Sequence, residues 1–168
     1  MSEGTRSAAA ALGRVRSPRA PAIAAAAGCL GVAGFQAALA AGAPFGRAAW
    51  GGQQTELPTP LRIGSGIAVA VWILAAGIVA KRGGVDVPAI SGRVARRAVR
   101  PAIAILVLGA AMNVASRSSL ERGIWAPFGA ILALLFFVVE RRAARRDGSA
   151  NDEALRLDSS SNVTDRSV

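Results

Sequence analysis

Two stretches of this 168-residue chain hold the side chains that could do chemistry. One runs Asn113, Ser116, Arg117, Ser118, Glu121, Arg122, Trp125 and Pro127. The other runs from Gly42-Ala43-Pro44-Phe45-Gly46 through Trp50-Gly51-Gly52 to Glu56-Leu57-Pro58 and Pro60-Leu61-Arg62. Arg62, Glu121 and Arg122 could bind a charged ligand or close an ion pair. Asn113, Ser116 and Ser118 could supply hydrogen bonds to it. A structural assignment competes with that reading. Ser118-x-x-Glu121 ahead of an apolar run is a capping box, and Ser and Asn bond across helices inside lipid. Trp50 and Trp125 suit the headgroup level as interface anchors, and the arginines can meet lipid phosphate. Capping and belt roles are the usual demand at such a position, so the structural assignment leads.

Much of catalytic chemistry is excluded by what is missing. The chain has no His and a single Cys, Cys29. An internal disulfide and a Cys/His metal cage therefore lack their ligands. A serine hydrolase would lack its base, and quinone-linked thiol oxidation would lack its Cys pair. We expect no catalytic residue, no metal, no cofactor and no enzymatic activity. Ion-coupled transport usually needs a charge embedded in the membrane. No ionisable residue lies deep in any apolar run, Glu140 at a run's border is a poor substitute, and Gln36 is the main polar residue of the first run.

The elements that must position these residues follow from composition. Hydrophobic residues make up 52% of the chain, aromatics only 5%, and 19 residues are Gly. Much of the rest of the apolar content is Ala. A soluble core of such small residues would bury little area at roughly 25 cal/mol per Å², whereas helices packing inside lipid need them. Uncharged runs cover 20–46, 63–80, 101–116 and 123–139. About 20 residues cross a hydrocarbon layer of about 30 Å; flanking Arg can snorkel where a run is short. The pattern predicts an all-α, membrane-embedded four-helix bundle over 20–140, with spans at about 20–43, 62–80, 101–116 and 123–140. The basic arm 1–19 and the polar tail 141–168 read as disordered. Ala38-Leu39-Ala40 resembles a signal-peptidase site, but the run is too long for a usual signal-peptide core. Cleavage there would leave three spans in the same orientation.

The net charge of +10 is a topology signal. Sixteen basic residues lie in the N-terminal arm, the 81–100 loop and the tail; only Arg47, Arg62, Arg117 and Arg122 lie opposite. The positive-inside rule places both termini in the cytoplasm of a multi-pass cell-membrane protein. Nucleic-acid binding is then not needed to explain the charge. Arg93, Arg96, Arg97 and Arg100 fall on one helical stripe, which suits anionic lipid headgroups or a plain topology anchor, the simpler of the two. Pro101 would open the next helix. Small residues four apart, as at Ala24/Gly28, Ala27/Gly31, Gly66/Ala70 and Gly129/Ala133, offer close-packing faces. Trp72, near the middle of the second run, reads as packing.

The patterns G-x-P-F-G-x-x-x-W-G-G and N-x-x-S-x-S-x-x-E-R-x-x-W-x-P resemble those of a family of small, uncharacterised four-span bacterial integral membrane proteins, over about Gly31 to Val139. That resemblance implies the four-span architecture and carries over no catalytic residue. By elimination, the residues favour a non-enzymatic accessory or self-assembling membrane component. Its expected partners are membrane lipid and possible neighbours in another membrane protein or a second copy. The alternative is a small carrier or channel for a lipid or small solute, entered from the outer face.

Overall fold

The computed structural model describes residues 17–165. Four helices carry the fold: α1 (Arg19–Ala40), α2 (Thr59–Arg82), α3 (Gly92–Ala115) and α4 (Ala126–Asp165). A 3-10 turn at Gly46–Ala48 interrupts the α1–α2 connection, and a π turn at Glu121–Trp125 leads into α4. There is no strand among the described residues. All four helices are long and apolar enough to cross a membrane, as the composition predicts.

Local chemistry sets the boundaries. α1 and α2 each end in a Schellman motif. Gly42 (φ 96°) and Gly84 (φ 85°) take the left-handed position. Ala43 and Val85 then donate back to the carbonyls of Ala38 and Ala80, at 2.9 and 3.0 Å. α1 thus stops at Ala40, short of the expected 43. Pro58 is extended and Pro60 lies in the first turn of α2, where a missing amide costs nothing. Ser91 caps α3 by accepting the Val94 amide at 3.3 Å.

Two expectations are corrected. The arginine stripe and the third span form one helix, so Pro101 sits inside α3 rather than at a helix start. Its missing amide falls at the level of Arg97, four residues back, on an exposed surface. The tail is helical through Asp165 where disorder was expected. Disorder was argued from the lack of anything to bury, but helix needs only local bonds, and no Pro interrupts the stretch. Of the arm 1–19, only Ser17, Pro18 and Arg19 lie within the described residues, and Arg19 opens α1.

The helices form a ring in chain order, each against its two neighbours. Consecutive helices run antiparallel, so the start of α1, the 83–91 loop and the 140s of α4 share one end. The dry core lies towards that end, around the fully buried Cys29, Val79, Val99, Phe136 and Val139. Small residues allow the approach there. A Cβ on Gly28 would lie 2.8 Å from Leu132, and one on Gly129 would lie 3.3 Å from Ala110. Gly31, Gly34 and Gly66 meet nothing, so only part of the small-residue surface packs internally. Ile67, Val71 and Leu74 of α2 and Ile105, Leu108 and Met112 of α3 stand exposed. A face that apolar is what lipid solvates.

Candidate functional site

The two patterned connections meet at the opposite end of the bundle and form a clasp. Glu121 is at its centre, only 7% exposed. Its carboxylate accepts the Gly51 amide at 2.9 Å and the Ser116 hydroxyl. Ser118 accepts the Glu121 amide at 3.4 Å and donates to the Arg47 carbonyl at 3.2 Å. Half of the expected capping box therefore forms. The other half does not, because the Ser118 amide goes to Ser116 Oγ at 3.1 Å, which frees the Glu121 carboxylate to reach the first connection. Trp125 donates to the Ala48 carbonyl at 2.7 Å. The π turn supports this pairing: the Ala126 amide reaches back five residues to the Glu121 carbonyl. Such turns recur where a helix must re-aim side chains.

The first connection is shaped to fit. Trp50 (φ 55°), Gly51 (φ 85°) and Gly52 (φ 70°) form a left-handed run. A Cβ on Gly52 would stand 2.8 Å from Ser118 and 2.8 Å from the Arg47 carbonyl. Trp50 pays for the strained conformation with one bond and one stack: its Nε1 donates to Ser65 Oγ at 3.0 Å, and its ring lies over Gly64.

The ion pair that Arg62 or Arg122 could close with Glu121 does not form among the described residues. Arg62 donates from Nε to the Ala40 carbonyl at 3.0 Å, capping the end of α1. Arg122 donates to the Ser116 carbonyl at 2.6 Å, capping the end of α3. Among the described residues no cation pairs with Glu121. Arg62 and Arg122 were open to a ligand-binding and to a structural reading, and their contacts here are with helix carbonyls.

Beneath the clasp lies a chamber of about 310 Å³, lined by residues of all four helices and the first connection. All three tryptophans of the chain, Trp50, Trp72 and Trp125, face it. Phe35 and Phe128 bracket Trp125 at centroid distances of 4.9 and 5.9 Å. Trp125, expected at the headgroup level, packs its ring in this aromatic cluster. Its polar neighbours in the wall are Gln36, Asn113 and Glu121. Gln36 Oε1 is buried without a hydrogen-bond partner. The volume lies at the lower end of ordinary ligand sites, roughly 300–1,000 Å³. An apolar wall with a few converging polar groups is the usual form of such sites.

At the basic end, Glu140 is buried between helices. Arg82 Nε reaches it at 2.7 Å and Arg100 Nε at 3.1 Å, while Arg82 also holds Asp147 at 2.8 Å. This network ties α2, α3 and α4 together. Arg96, Arg97 and Arg100 border a cleft of about 440 Å³ with Arg82, Glu140 and Asp147; Arg93 stands outside it. Glu121 and Glu140 are thus both buried, although neither lies deep in an apolar run. Both lie at run borders in sequence, where a window of charges cannot distinguish a buried side chain from a solvated one.

The sequence reading did not include Ser65, Phe35 or Phe128 in the site, and it assigned Trp72 to packing. A serine between two glycines at 64–66 was the available signal for Ser65, since it offers both a polar atom and room for a ring. Comparison with family models, curated proteins and solved structures finds no match to this chain.

Proposed function

We propose that this chain is a non-enzymatic membrane protein that holds a small amphiphilic molecule drawn from the bilayer, a lipid or a lipid-like solute. The observation that carries this reading is the chamber. The three tryptophans of the chain border one void of about 310 Å³, and Gln36 beside them carries a buried acceptor without a donor. Aromatic side chains would ordinarily fill such a space, and an unpaired buried amide oxygen costs stability. An occupant with an apolar body and a polar head offsets both costs. Ile105 lines the chamber and is 67% exposed, which leaves a wall one side chain thick between the void and lipid. In this proposal the clasp faces outward in the cell membrane, both termini are cytoplasmic, and the arginines of α3 meet anionic headgroups at the inner surface. The role of an accessory or self-assembling component rests on elimination. The chamber is a positive feature and moves the weight to binding.

The test is native mass spectrometry of protein extracted in mild detergent. A bound amphiphile at one per chain is expected. A side chain at Gly109, which borders the chamber, would start in open space, so Gly109→Leu should fill the void and expel the ligand while the protein still folds. Wild type without bound mass, or bound mass unchanged in Gly109→Leu, would overturn the reading. A stoichiometric protein partner in its place would restore the accessory role.

A further inference from the structure

We infer that the molecule held in the chamber carries a cationic ammonium head with N–H donors, seated against Glu121; this rests on the binding reading above. Glu121 is 7% exposed and borders the void. Its donors are neutral: the Gly51 amide and the Ser116 hydroxyl. A carboxylate offers about four lone-pair sites, so acceptor capacity remains. A buried charge is as a rule paired, because leaving it unpaired is costly.

Of the four cations at this end, Arg47, Arg62 and Arg122 donate elsewhere, and none of the four, Arg117 included, pairs with Glu121. Arg62 is on the Ala40 carbonyl and Arg122 on the Ser116 carbonyl. No Lys or Arg lines the chamber. Gln36 also borders the void, and its Oε1, sealed from water and without a donor, becomes a second acceptor once its side chain rotates. The rest of the wall is rich in ring faces, whose quadrupole attracts a desolvated cation. A carboxylate, an unpaired carbonyl oxygen and indole faces all favour a positive head that donates hydrogen bonds. An anionic head would meet Glu121 with no counter-cation. An alcohol would satisfy Gln36 and leave the charge unpaired. The tail would then lie along Phe35 and Phe128 and leave past Ile105 into lipid.

The experiment titrates the full chain, in phosphatidylcholine nanodiscs, with dodecylammonium, dodecanol and dodecyl sulfate by calorimetry at neutral pH, with empty discs subtracted. Dodecylammonium should bind at least about tenfold tighter than dodecanol, a difference of about 1.4 kcal/mol, and dodecyl sulfate weakest. Glu121→Gln keeps an acceptor for Gly51 and should bring dodecylammonium down to the level of dodecanol. Equal affinity for the three heads, or a preference that survives Glu121→Gln, overturns the inference and leaves amphiphile binding standing. No binding by any of the three overturns both. Where Glu121→Gln fails to assemble, the wild-type ranking decides: ammonium first supports the inference, and any other order overturns it.

Discussion

Two glutamates in this chain show how burial gives a carboxylate its meaning. Glu121 is held by neutral groups, whereas Glu140 is held by guanidinium groups. The side chains of Arg82 and Glu140 are 7% and 11% exposed; without Glu140, Arg82 keeps only the half-exposed Asp147, and without Arg82, Glu140 keeps only the exposed Arg100. Glu140→Leu should therefore destabilise the protein, by less than the about 3–5 kcal/mol of breaking an isolated buried pair, while the double change Arg82→Leu/Glu140→Leu should recover part of that loss. Unfolding in mixed micelles of the single and double variants measures both. A double variant as weak as the single one would mean that the pair is more than a mutually neutralising contact. The residue types at both sites were legible in the sequence: Glu121, Ser116 and Ser118 stood out by their spacing. Their partners were not. The Gly51 amide lies 70 residues from Glu121, and a backbone donor has no side-chain identity for a sequence pattern to reveal.

The elements were legible where the signal is local. Gly and Pro marked the turns, and the apolar runs located the spans. The failures came where one signal was read as a boundary. Pro101 follows a charged stripe, so it read as a helix start; in the structure the helix passes through it. A proline inside a helix removes one amide bond and crowds the carbonyl four residues back. Pro101→Ala should therefore stabilise α3, by up to about 3 kcal/mol, as measured by thermal unfolding in detergent. A loss of stability on that change would indicate that the proline ring or the missing donor is required for packing on α2 or α4. α4 shows the opposite failure. Its 40 residues span about 60 Å at 1.5 Å each, twice the hydrocarbon layer of about 30 Å. The polar half was read by what it could bury, although its first turns are tied down: Asp147 holds Arg82, and Arg142 donates to the Ser17 carbonyl at 3.0 Å.

The whole molecule has two unlike ends. One is packed dry and closed by charges; the other is hollow and closed by a clasp of neutral bonds. Charge counting assigns the first to the cytoplasm, and this is open to direct test. In a Cys29→Ala background, an impermeant thiol reagent on intact cells should label Ser119→Cys and leave Ser149→Cys unlabelled; both positions are exposed. The reverse pattern would invert the assignment and put the chamber on the cytoplasmic side. The grouping of indoles has a consequence for how this protein is watched. The chain has no Tyr, and its three Trp all border the chamber. Its near-ultraviolet circular dichroism and its intrinsic emission therefore originate almost wholly at one end, and the packed, charged end is optically silent. A melting curve recorded at those wavelengths follows the disassembly of the chamber, while the far-ultraviolet curve follows the helices of the entire bundle. Recorded together, the two curves separate local opening from global unfolding without a label.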